Sequence, residues 1–288
     1  MNIIIAQIIV LIIMLILFFV TFKKDHTKIT IKDMTLITLL CVLGAILNKT
    51  LAIKFPPAQP LFVISFAGAI AITIGILFSP KLALVAGVIT DLIGLLLAPA
   101  SGEVSMPFLG FTLTAMLSCY LPSVLIRITK NQKQAILKMF IVIILALANI
   151  ATIIYLFSVN SISIDQTQND LTNSLRFIII GVVFLISVVI LIINHFLNKK
   201  MKAIANLYVT TTHLILLILV VEIVCHIILT SLWINIMYGL PYIIAVATRI
   251  IKAILILPIN VVIIYLILKF IPMQYKQHLI KDNNQMIE

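Results

Sequence analysis

A carboxylate and an imidazole four residues apart, Glu222 and His226, interrupt an otherwise apolar stretch, and Thr230 and Trp233 continue the same spacing. On a helix, side chains at i and i+4 are neighbours, so these two are placed to pair or to couple to a substrate or a proton. The same spacing supplies half of a metal site, but no second ligand pair accompanies it, and no metal is expected. Further along, Tyr242, Arg249, Lys252, Ile256 and Asn260 fall within about 80° of helical arc at about 100° per residue. Two cations on one inward face repel each other and lose hydration unless an anion compensates them. That anion is either the protein's own (Asp91, Glu222 or Glu103) or a bound carboxylate or phosphate. Lys49 and Lys54, near the end of another apolar run, either converge on the same charge or snorkel to the membrane surface.

Asp91 poses a separate question, because it lies inside the apolar run "KLALVAGVITDLIGLLLAP". Ala83, Gly87, Asp91, Gly94 and Ala98 recur at helical spacing, and small residues at that period let a second helix approach closely. Asp91 therefore points into protein, where it either anchors a ligand or loop or fixes helix packing. Phe111, Thr114, Ala115 and Ser118 share another small and aromatic face. Phe108, Phe111, Trp233, Tyr238 and Tyr242 all fall near one boundary of their runs, as an interfacial belt does. The same rings would suit a stacking cage for a flat heterocycle.

The elements that must position these groups are membrane helices. Of 288 residues, 63% are hydrophobic and 10% charged, against roughly 25% charged in a soluble domain. A transmembrane barrel would alternate apolar and polar residues, and this chain does not. The expected class is all-α, a polytopic helical bundle in the lipid bilayer. Nine crossings are expected, at 2–22, 34–53, 61–78, 81–98, 109–127, 138–159, 175–198, 207–236 and 243–271. Ser79-Pro80-Lys81 breaks the third from the fourth and offers an N-cap. With the N-terminus outside, fifteen of the 20 basic residues fall in cytoplasmic segments, which satisfies the positive-inside rule. The first run then reads as an anchor, followed as it is by Lys23, Lys24, Lys28 and Lys32. The formal charge of +11 is used up in this way and implies no nucleic-acid partner. Cys41, Cys119 and Cys225 lie in apolar runs without metal spacing and read as packing residues. No phosphate-binding loop, nucleophile elbow or zinc-protease motif occurs, so neither ATP hydrolysis nor another catalytic activity is expected of this chain. No cofactor is expected either.

Two blocks carry a family resemblance. One runs "ILNKTLAIKFPPAQPLFVISFAGAIAITIGILFSPKLALVAGVITDLIGLLLAPASGEVSMPFLGFTLTAML"; the other is "ILTSLWINIMYGLPYIIAVATRIIKAILILPINVVIIYLILK". In the order and spacing of their pieces they resemble the S components of energy-coupling factor (ECF) transporters, the folate-type subfamily above all. The resemblance implies a six-helix core (34–53, 61–78, 81–98, 109–127, 207–236 and 243–271) with about three extra transmembrane helices. It divides the chain into an anchor with a basic loop (1–33), four core helices (34–127), an inserted transmembrane hairpin (128–206), two core helices (207–272) and a cytoplasmic polar tail (273–288). It implies capture of folate or a related vitamin from outside, in a bacterial plasma membrane. It also implies docking on a transmembrane scaffold subunit and two cytosolic ATPases that power import. By position, Lys49 stands where the folate-type proteins place an arginine, Arg249 and Lys252 match a last-helix basic pair, and Asp91 matches the aspartate of a D-L-I-G segment. Phe111, Trp233, Tyr242 and Glu103 complete the expected substrate site. The sequence departs from the family at the scaffold-docking pattern, which falls on Thr38 and Val42 with Cys41 and Ala45 as an adjacent small pair. It departs again at Ser65-Phe66-Ala67-Gly68-Ala69 and in the three additional helices. Thiamine or riboflavin would also suit such a site. A lone proton-coupled carrier acting through Glu222 and His226 is a different reading. A membrane-embedded enzyme or assembly factor is a third, for which no catalytic constellation speaks.

Overall fold

With no water to satisfy them, backbone groups inside a bilayer must bond within the chain, and long apolar runs therefore become helices. The structure, a computed structural model, describes residues 3–27, 29–50, 53–55, 62–97, 107–129, 132–158, 161–164, 167–170, 173–204 and 210–271. The helices are α1 (Ile3–Lys24), α2 (Ile31–Thr50), α3 (Ala67–Leu77), α4 (Pro80–Leu97), α5 (Leu109–Thr129), α6 (Gln134–Ser158), α7 (Asn173–Ile204), α8 (Thr211–Val221), α9 (Thr230–Tyr238) and α10 (Tyr242–Phe270). A π-helical stretch, Glu222–Leu229, joins α8 to α9 in one continuous rod. Two short antiparallel ribbons complete the description: β1 (Ile53–Phe55) with β2 (Phe62–Ile64), and β3 (Ser161–Ile164) with β4 (Thr167–Asp170). The protein is a polytopic helical bundle, and eight of its helical rods are long and apolar enough to cross a membrane.

The exception corrects the expected third crossing. Instead of spanning 61–78, α3 is an 11-residue helix preceded by β2. At 1.5 Å per residue it is about 16 Å long, half the hydrocarbon thickness. It survives because protein surrounds it: Ala69, Ile70, Ile72, Ile74 and Leu77 are all buried. The connection between α6 and α7 contains the β3–β4 ribbon.

The tightest packing is made by α5. A Cβ at Gly87 of α4 would stand 2.6 Å from the Ala115 carbonyl oxygen, and one at Gly75 of α3 would run into the Cys119 carbonyl. Both helices thus lie with their backbones against α5, as small residues permit. Ser123 Oγ adds a hydrogen bond to the Phe78 carbonyl at 2.8 Å, tying α5 to the end of α3.

On the basic side of the bundle, the first turn of α4 is capped twice. Ser79 Oγ accepts the Leu82 N–H at 3.4 Å, as the sequence suggested, while Asp25 reaches over from the α1–α2 connection. Asp25 Oδ2 accepts the Lys81 N–H at 3.0 Å, and its Oδ1 takes both the N–H and the hydroxyl of Thr27. Lys81 Nζ lies 5.1 Å from the centre of the Phe22 ring, and Arg127 of α5 is in electrostatic range of Asp25. Helix α1 is thereby latched to α4.

Burial alone would raise the Asp25 carboxyl, but the bonds from Lys81 and Thr27 outweigh it and hold the group below its ordinary 3.8. A depressed folded-state value means the stabilisation is complete above 3.8 and is lost as pH falls through the folded value. In nanodiscs, Asp25→Ala is expected to lower stability at pH 7 by about 1–3 kcal/mol. It should also flatten the fall in melting temperature between about pH 5 and pH 3. A variant that melts with the unsubstituted protein's acid dependence would show that Asp25 carries no such load.

Candidate functional site

The polar groups singled out in the sequence divide into two places. Around the π-helical stretch, Glu222 is buried at 6% exposure and has Lys252 and Arg249 of α10 as its electrostatic neighbours. Arg249 is 7% exposed, and its Nη1 donates to the His226 carbonyl at 3.4 Å. Its Nε finds no partner among the described residues. A π-helix bonds i to i+5 and widens the turn, a distortion that recurs at functional sites. Here Thr230 Oγ1 closes it by donating to the Cys225 carbonyl at 2.7 Å. The start of α3 faces the same cluster. Gly68 lies next to His226 and Asn260, while Ser65 Oγ accepts the Ala67 N–H and donates to Asn48 Oδ1. A helix N-terminus carries partial positive charge. Arg249, Lys252 and the α3 N-terminus therefore set three positive features against one carboxylate, Glu222.

The second place is a packing cluster. Trp233 Nε1 donates to Thr114 Oγ1 at 3.0 Å, and the Thr114 hydroxyl in turn donates to the Gly110 carbonyl. The Trp233 ring meets Phe108 edge-on at 5.7 Å, and Phe108 meets Phe111 at 5.9 Å. A Cβ on Gly110 would strike both Phe108 and Trp233. Ala6, Val10 and Met14 of α1 close the cluster, leaving Phe108 and Trp233 each 4% exposed. These rings are thus occupied by one another and by α1, while Tyr238 and Tyr242 remain exposed.

Asp91 belongs to neither place. Thr112 of α5 donates to its Oδ2 at 2.7 Å, so one of its bonds ties α4 to α5. Gly87 and Ala83 on the same face are buried, as the small-residue period implied. Lys49 lies in the last turn of α2, but its side chain lies outside the described residues, as do the Lys54 side chain and the whole of Glu103. The 98–106 connection and the tail from 273 lie outside them too. Cys41 and Ala45, the small pair on α2, face inward at 0% and 1% exposure, so they cannot receive another subunit. Thr38 and Val42 are exposed, as are Thr35, Leu39, Leu43 and Ile46 on the same helix. All three cysteines are free and buried, and no group of three metal-ligating side chains occurs among the described residues. Sequence reasoning missed Gly68 and the α3 N-terminus. The signal was present as the departure at Ser65-Phe66-Ala67-Gly68-Ala69, whose first residue caps the shortened helix.

No family model matches the chain, and no curated protein matches it. Among solved structures it is similar to one of FolT bound with folic acid, at 20% identity and a TM-score of 0.46, over 83% of this chain and 93% of that one.

Trp233 is the single tryptophan, so its environment is directly readable. Thr114→Ala leaves a buried indole N–H without its acceptor, a loss of about 1–3 kcal/mol. The melting temperature should fall and the emission maximum of Trp233 should shift. No change in either would place the indole in a wetter site than the one described.

Proposed function

We propose that this chain is the substrate-binding S component of an ECF-type transporter and captures folate or a closely related anionic vitamin. The observation that carries the reading is an excess of positive charge inside the bundle: buried Arg249 and half-buried Lys252 lie in range of one buried carboxylate, Glu222. Inside a bilayer such an excess is costly unless an anion joins it. A ligand carboxylate supplies that charge with charge-assisted hydrogen bonds, and the free Nε of Arg249 offers a donor. The two sequence blocks resembling folate-type S components support the same assignment, since both Arg249 and Lys252 fall within the second. On this reading the chain binds vitamin from outside, and a separate scaffold subunit with two cytosolic ATPases drives import. Docking through α2 would use Thr38 and Val42. The basic residues support an outside N-terminus and a cytoplasmic C-terminus.

A lone proton-coupled carrier is the competing reading. It needs Glu222 and His226 to act as a pair, whereas the charges in range of Glu222 are Lys252 and Arg249, which favours anion capture.

Binding of vitamins to the purified chain in nanodiscs, read by calorimetry, tests the assignment. Folates should bind, and Arg249→Ala should weaken carboxylated ligands roughly 30-fold or more while barely touching uncharged ones. Preference for thiamine or riboflavin would overturn the folate assignment. Ion-driven uptake by the chain alone in liposomes would overturn the S-component assignment.

A further inference from the structure

The basic end of the bundle carries a concentration of charge that the candidate site does not use. Among the described residues, Lys23 and Lys24 stand in the last turn of α1 and Lys32 in the first turn of α2. Lys81 stands in the first turn of α4, and Arg127 in the last turn of α5. Against these cations the same segments hold two carboxylates, Asp25 and Asp33, and both are engaged by the protein's own donors. Asp33 Oδ2 accepts the N–H and the hydroxyl of Thr30, at 3.1 Å and 2.7 Å. Asp25 serves the N–H of Lys81 and the N–H and hydroxyl of Thr27, with Arg127 in electrostatic range. The Lys81 ammonium lies instead over the Phe22 ring, and both Lys81 and Arg127 are half-buried.

We propose that the adjoining ends of α1, α4 and α5 form a binding site for the headgroup phosphate of an anionic phospholipid. Lysine and arginine donate charge-assisted hydrogen bonds to phosphate oxygens, and cations clustered at the end of a membrane helix attract anionic lipid. Apolar surface continues directly from these charges, which favours a lipid over a soluble phosphate. Phe19 and Phe22 of α1 are exposed, and Phe18 meets Phe22 at 5.8 Å one turn further from the lysines. A phospholipid presents its phosphate and then its acyl chains in the same order. A headgroup held by Lys24, Lys81 and Arg127 joins α1 to both α4 and α5, adding to the tie that Asp25 makes through backbone. The site shares no residue with the anion capture assigned to Arg249 and Lys252 and does not depend on it.

Native mass spectrometry of the full chain, in micelles supplemented with phosphatidylglycerol or with phosphatidylcholine of the same acyl chains, tests the site. The unsubstituted chain should retain phosphatidylglycerol roughly tenfold better than phosphatidylcholine. Lys81→Gln removes one cation but keeps the backbone N–H that Asp25 accepts, and should weaken retention of phosphatidylglycerol roughly fivefold. Adding Arg127→Gln should bring the loss to roughly twentyfold or more. Lys269→Gln makes the same charge change at the exposed end of α10 and should stay within roughly twofold. Emission from Trp233, which packs with α1, reports whether that helix is still seated; if the double variant unseats it, Lys81→Gln alone decides. Equal retention of the two lipids, no loss in Lys81→Gln, or an equal loss in Lys269→Gln overturns the site. Glycerol 1-phosphate binding as tightly as phosphatidylglycerol overturns the lipid assignment.

Discussion

A helix that stops partway through a bilayer exposes backbone N–H groups where no water can reach them, and much of this structure answers that problem. Helix α3 begins at Ala67 and has only 11 residues. Its leading residues cannot be left to lipid. The β1–β2 ribbon satisfies its own strands, Ser65 takes the Ala67 N–H, and α5 presses against the helix closely enough to exclude lipid. Once the first turn of α3 is surrounded by protein, the polar side chains facing it are also sheltered. Glu222, His226, Arg249, Lys252 and Asn260 can then sit at a depth where each alone would be strongly unfavourable.

The π-helical stretch belongs to the same solution. An α-helical rod from Thr211 to Tyr238 would hold every carbonyl in its own ladder. At the widened turn the Cys225 carbonyl accepts both the N–H and the hydroxyl of Thr230, and the His226 carbonyl accepts from Arg249. Arginine is thereby held by backbone as well as by charge, and Lys252 shares Glu222 with it. Polar chemistry and helix distortion are thus coupled: the side chains that make the site chargeable also satisfy the backbone that bends to receive them.

The bundle class and the course of most helices were legible because a hydrophobic run long enough to span is an almost unambiguous signal. Ser79 as a cap and the inward face of Asp91 were legible for local reasons, in turn chemistry and helical period. What could not be read was tertiary. The run 61–78 has the composition of a crossing, and only the neighbours of Gly68 and Gly75 show that half of it is a helix. Trp233 and Phe108 had the composition of a stacking cage; their occupation by α1 depends on a helix placed far away in sequence. The small pair Cys41 and Ala45 read as a docking face, yet its direction is set by α4, whose Ala86 carbonyl accepts from the Cys41 thiol at 3.5 Å. The Glu222–His226 spacing suggested a local pair, but charge on another helix decides which group Glu222 faces.

The seating of α1 has a consequence for how the chain is made. Val10 and Trp233 share one cluster although they stand near opposite ends of the sequence. During synthesis α1 precedes α4, α5 and α9, and α4 and α5 offer it a partial surface long before α9 exists. Until Trp233 arrives, the groove beneath Ala6 and Val10 stays incomplete, and the Asp25 cap on α4 is the contact that can hold α1 in place. Assembly of α1 is therefore non-local by construction: an early helix is completed by a late one.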